Sequence, residues 1–308
     1  MRLGISSYYH FCLLRFRTKM SDTVKPMTIE EEYEKNPDIT PDDVRKLREW
    51  LQTQPHLPGE HLTDVDLMVV VHCCQKSMEV SKQVLDLHFT LRTLFTQFFK
   101  DRAFDKTAEV ALICPTLSFT GYRVVYFRLL DADPRNFNLP EVVRGFMMAL
   151  DLWQYEEGTW PGLIIVVDMD QTVFGHVTRV DLMVLKKMLY FLQECMLTKL
   201  KGFHFINAPN FMDKLLTLLR PFINKEFIEL LFVHQVGSDS IYKHVPKKSF
   251  PKEEGGENKD HITLRAHSEF LKNENRRRVD ESLRPGGKPA KVQEMFGIEG
   301  SFKKLDID

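Results

Sequence analysis

Pro161-Gly162-Leu163-Ile164-Ile165-Val166-Val167-Asp168 is five large apolar residues, four of them β-branched, opened by a Pro-Gly break and closed by a carboxylate. A strand with one wet face would alternate apolar and polar residues. This one does not, so it predicts a strand covered on both faces, as parallel strands of α/β domains are. In such sheets ligands bind in crevices near the carboxyl ends of the strands.

Working outward, the same grammar repeats. Gly121 to Leu130 reads as a strand, and Leu139-Pro140 opens a helix running to Trp153. Beyond the central strand, Val177 to Leu197 has helical periodicity, with Leu182, Leu185, Leu189, Leu192 and Met196 on one face. Phe203 to Asn207 is a short strand, Phe211 to about Phe222 a helix, and Leu230 to Gln235 a further strand. This βαβαβ order predicts a mainly parallel sheet with right-handed crossovers. Residues 40 to 100 read differently. Thr40 caps a helix opened by Pro41, Thr63 caps a second reaching about Cys74, and a third runs from about Met78 to Phe99. The fold class is therefore α/β, preceded by a helical bundle.

Composition narrows the function. About 43% hydrophobic content supports a substantial core, and a formal net charge of −1 supplies no global field to attract nucleic acid. Five cysteines, including the adjacent Cys73-Cys74, lack C-x-x-C spacing and read as reduced thiols rather than a disulfide framework. Residues 1–27 read as a disordered extension. Arg2, Arg15, Arg17 and Lys19, with no acid in the first twenty residues, also give it a presequence-like composition. The sequence turns polar after Gly255-Gly256, and residues 263–308, with Arg276-Arg277-Arg278, read as a tail. No stretch is long and apolar enough to span a bilayer.

No catalytic kit is visible. There is no dinucleotide fingerprint, phosphate-binding P-loop, G-x-S-x-G elbow or H-E-x-x-H. Asp168 and Asp170 could form a metal or acid/base pair, but no third ligand lies at a motif-like spacing, so they read as strand-end and capping residues. His176 and His204 read as packing residues with hydrogen-bond partners. What remains is apolar excess. The 211 to 222 segment carries Phe211, Met212, Leu215, Leu216, Leu218, Leu219 and Phe222 on more than one face. Such a helix is doubly packed, or touches lipid or a hydrophobic ligand.

These segments resemble the CRAL-TRIO lipid-transfer family, in the branch of α-tocopherol transfer protein, cellular retinaldehyde-binding protein and the clavesins. The resemblance runs over roughly residues 40 to 262. It is carried by Leu85 to Arg92, Gly121 to Arg128, Asp133-Pro134, Gly162 to Asp170, Phe174-Gly175-His176, Arg220-Pro221-Phe222 and Phe250 to Gly256. The most specific segment is Lys199-Leu200-Lys201-Gly202-Phe203-His204-Phe205-Ile206-Asn207-Ala208-Pro209. The resemblance implies a helical N-terminal domain over 28–105. It implies a CRAL-TRIO domain over 106–262 whose sheet floors a hydrophobic pocket closed by a gate helix.

By matching position, it places Phe127, Leu129, Val143, Phe146, Leu150, Leu163, Phe191, Leu192, Met196 and Phe203 in the pocket wall. Phe211, Leu215, Leu218, Leu219 and Phe222 fall on the gate, and Lys199, Lys201 and Arg220 at a phosphoinositide headgroup. The chain departs from the family pattern at Glu226 and Leu230, where the family carries two more basic residues, and at Glu254, where it carries an aromatic. The implied function is non-catalytic binding and transfer of a hydrophobic small lipid, tocopherol-like, retinoid or another long-chain lipid. The alternative is a module that reads phosphoinositides without moving cargo. No cofactor or metal is expected. The expected protein is a cytoplasmic monomer with transient contact to an anionic membrane surface and none to nucleic acid.

Overall fold

The computed structural model describes residues 26–100, 111–117, 121–251 and 255–256. The terminal extension before residue 26, the polar tail and the boundary near residue 105 lie outside the described residues.

Four helices open the chain: α1 Ile29–Lys35, α2 Pro41–Gln52, α3 Asp64–Cys73 and α4 Met78–Leu94. The first three start alike. The hydroxyls of Thr28, Thr40 and Thr63 each accept the amide of the acid three residues on, whose carboxylate accepts from the Thr amide. Val44, Leu47 and Leu51 of α2 then pack against Leu67, Val70 and Val71 of α3 and Leu85 and Phe89 of α4. α4 stops at Leu94 rather than running on to Phe99 as expected. Phe95 leaves the helical path, and a short α5, Thr96–Phe99, follows. The reason is burial. Phe95, Phe98 and Phe99 are all 2% exposed or less and turn into the core of the following domain, where Phe99 meets Phe191 at 5.2 Å between ring centres.

That domain is a five-stranded sheet in sequential order: β1 Ala111–Leu117, β2 Arg123–Leu129, β3 Leu163–Asp168, β4 Leu200–Ala208 and β5 Leu231–Gln235. β2 to β5 are parallel, and β1 lies antiparallel to β2 at the edge. β1 is additional to the strands expected from the sequence pattern. The helices are α6 Leu139–Glu157, α7 Phe174–Val177, α8 Leu182–Glu194, α9 Met212–Leu219 with a 3₁₀ turn at Arg220–Phe222, and α10 Lys225–Glu229. The helix expected over Val177 to Leu197 is thus broken. The Asp181 carboxylate accepts the amides of Met183 at 2.8 Å and Val184 at 3.2 Å, starting α8 afresh.

The central strand is covered on both faces, as its unbroken apolar run predicts. Ile164 and Val166 point to the back with Val124, Tyr126 and Ile206, and are covered by Ile241, Val245 and Phe250. Leu163 and Ile165 point to the front with Phe203 and Phe205, toward α6, α8 and α9.

Buried polar contacts join the two units. Glu32 of α1, fully buried, accepts the Thr159 amide at 3.0 Å and hydroxyl at 2.6 Å, and Asn36 Nδ2 at 3.0 Å. Arg92 of α4 grips Asp151 of α6 through two bonds of 3.1 and 2.7 Å. His88 Nδ1 lies 2.8 Å from the Cys195 carbonyl oxygen.

Candidate functional site

The front of the sheet and the helices above it enclose a cavity of about 190 Å³. Phe127, Leu129, Ile165, Val167, Phe203 and Phe205 form its floor. α6 contributes Val142, Val143 and Phe146, and α8 contributes Leu185, Met188, Leu189 and Leu192 at helical spacing. α9 lays Leu215 and Leu219 across the top. An apolar cavity of such size stays dry and accepts apolar guests.

Of the residues assigned to the wall by position, Phe127, Leu129, Val143, Phe146, Leu192 and Phe203 lie on this cavity, as do Leu215 and Leu219 of the gate. Leu150, Phe191 and Met196 do not. They line a separate crevice between the helical unit and the α/β domain, beside His88 and Arg92. Phe191 follows Leu189 by two residues and precedes Leu192 by one, so on a helix it points away from the cavity face. Leu163 is fully buried in packed core at the start of β3. Phe211, Leu218 and Phe222 also lie off the wall, partly buried against the core cluster, with the Phe211 ring 5.8 Å from that of Phe174. Ile165, Val167 and Phe205 were within reach of sequence reasoning, through strand parity with Phe127 and Phe203. Leu185 and Leu189 were within reach through helix spacing from Leu192. Met188, four residues before Leu192, carried the same signal, while Phe137 and Phe227, which also line the cavity, carried no comparable one.

The downstream end of the α9 segment is tied by one side chain. Gln193 of α8 donates to the Phe222 carbonyl at 2.9 Å and accepts the Asn224 amide at 2.8 Å, while also donating to Leu189 O. At the other end, Val173 and Phe174 are exposed, and Lys214 Nζ sits 5.1 Å from the centre of the Phe174 ring.

Asp168 is 1% exposed and accepts from Tyr126 OH at 2.5 Å, Asn207 Nδ2 at 2.9 Å and the Asp170 amide at 2.9 Å. Those bonds occupy it as a strand-end brace. Among the described residues, no group of three or more His, Cys, Asp or Glu could hold a metal ion. His176 lies in the cavity wall. His204 lies on the back of the sheet, 3.0 Å from His234 through ring nitrogens and stacked on Phe232. Burial, with His244 and His234 beside it, pushes the His204 imidazole down to about 3.

Lys199 and Lys201 flank the first residue of β4, and Arg220 follows the last turn of α9. Among the described residues, none of the three makes an ion pair or a side-chain hydrogen bond, and Lys201 Nζ lies 5.7 Å from the centre of the Tyr122 ring. Burial and the Lys201 charge hold the Lys199 ammonium below the usual lysine range.

Residues 119–256 match the model of the CRAL/TRIO domain. These residues form a CRAL/TRIO domain, and the cavity and α9 both lie within it. The helical unit ahead of that domain matches a second model, the Pinta-like UBA domain, over residues 36–108. Clavesin-1 of Pongo abelii is 23% identical over 250 residues, covering 78% of this chain and 71% of its own. Clavesin-2 of Homo sapiens is 21% identical over 250 residues, covering 78% and 76%. The solved structure titled "Crystal structure of Sfh5" aligns at a TM-score of 0.45 and 14% identity over 76% of this chain and 97% of that one, a likeness too loose to carry an argument. No helix among the described residues is long and apolar enough to cross a membrane.

Proposed function

We propose that this chain binds a hydrophobic small lipid and carries it between membranes without catalysing a reaction. The observation that carries the reading is the apolar cavity between sheet and helices, closed above by Leu215 and Leu219 of α9. A buried tail of about fifteen carbons gains roughly 12 kcal/mol against water at about 0.8 kcal/mol per CH₂, but little against a bilayer, which is equally apolar. Carriage therefore calls for a cover that moves at the membrane. α9 is suited to that role because its apolar residues cover more than one face. Val173 and Phe174, with Lys214 beside them, offer an apolar and cationic contact for an anionic surface. Protein purified from cells is expected to yield a stoichiometric apolar molecule on extraction and mass spectrometry. A chain that neither yields nor takes up any lipid overturns the proposal.

A second reading, recognition of a phosphoinositide headgroup, is favoured by Lys199 and Lys201, cations without an acidic partner among the described residues. The double variant Lys199→Glu, Lys201→Glu is expected to lose most of its flotation with phosphoinositide liposomes while keeping its lipid uptake. Flotation equal to wild type removes these lysines from the membrane contact.

A further inference from the structure

The cavity wall is apolar except for Asp168, Thr172 and His176, and His176 is only 2% exposed. Its Nδ1 faces back into its own turn, where it lies 3.0 Å from the Val173 amide nitrogen. The Val173 carbonyl oxygen also lies 3.2 Å from Nδ1, but the amide proton is fixed and points at that nitrogen, so Nδ1 accepts and the ring proton of the neutral imidazole sits on Nε2. Nε2 is buried and has no hydrogen-bond partner among the described residues. The turn that carries it is pressed close to its neighbour: a Cβ on Gly175 would come within 2.9 Å of Pro134 Cγ. Phe137 stands nearly perpendicular to the imidazole, with ring centres 5.6 Å apart. A buried donor without an acceptor is costly, and native proteins seldom leave one so.

The geometry points to His176 Nε2–H as the group that receives the polar end of the cargo, which is an apolar molecule carrying a neutral acceptor oxygen, an alcohol or a carbonyl. This deepens the lipid-carrier reading and rests on it. A pure hydrocarbon leaves the donor unmet. An ionised carboxylate would bring an unpaired charge into a wall that is apolar but for His176, Thr172 and the acidic Asp168.

The test uses the full chain loaded with the fluorescent polyene diphenylhexatriene, displaced by hexadecan-1-ol or by hexadecane, each delivered from cyclodextrin. In wild type the alcohol is expected to displace the probe more effectively than the alkane. In His176→Phe, which keeps a ring against Phe137, that preference is expected to shrink by about tenfold. Nitrogen-15 NMR of the wild-type imidazoles gives an independent reading: the Nε2–H signal of His176 is expected to shift with the alcohol and not with the alkane. An unchanged preference in the variant, or a resonance that ignores the alcohol, overturns the role of His176 and leaves the carrier reading intact. Failure of the probe and both chains to bind wild type overturns both.

Discussion

At the residue scale, His204 is a histidine built to stay neutral. It lies 1% exposed between β4 neighbours and two further imidazoles. Folded, it takes a proton only at about 3, whereas its ordinary value is 6.5. Between those values the unfolded chain binds more protons. Stability that is complete above the ordinary value is therefore lost as the pH falls toward the folded one, by up to about 1.4 kcal/mol per pH unit. Urea midpoints measured between about pH 7 and about pH 5 should fall, and should fall less steeply in His204→Gln. Asp168 had two readings from its local pattern, and the structure shows three donors converging on its carboxylate. Which reading held depended on Tyr126 and Asn207, residues about forty positions away on either side. No local motif could supply them.

At the element scale, patterning located most helices and strands, and tertiary packing moved their ends. The caps at Thr40 and Thr63 were legible because a capping box is local chemistry. The break at Phe95 was not, because periodicity continues through Phe98 while the rings turn into a neighbouring core. Among pocket residues, Leu192 was placed by its position in the family pattern, and it lies on the cavity. Phe191 and Met196 were misplaced because an apolar side chain does not announce which of two packed surfaces it serves. The turn before β3 shows how tightly elements meet. Gly158 has φ +66°, and a Cβ there would overlap the buried Glu32 carboxylate of α1. Gly158→Ala should destabilise by about 2 kcal/mol or more, from backbone strain plus displacement of Glu32. Chemical denaturation measures this, and a stability equal to wild type would count against the close approach.

At the scale of the whole molecule, the helical unit and the α/β domain are joined by Leu91, Phe95, Phe98 and Phe99, which pack into the α/β core, and by buried polar contacts. Breaking a buried ion pair by removing one partner costs about 3 kcal/mol. Asp151→Ala, which strips Arg92 of its bidentate carboxylate, should cost that much and separate a single calorimetric melt into two steps. A single, unshifted melt would show that the units cohere without the pair. The division into a helical unit and an α/β domain was legible from the change in hydrophobic period. The pairing of Arg92 with Asp151 was not, since nothing local couples residues 59 positions apart. Gln193 has a different consequence, for time rather than affinity. Its two bonds span the backbone on either side of Ile223. If both must break before α9 swings and re-form once it settles, they raise the barrier and leave the end states alike. Gln193→Leu should then speed loading and unloading by the same factor in stopped-flow exchange, with the equilibrium constant unmoved. Residence time would then be set by a side chain that never touches the guest.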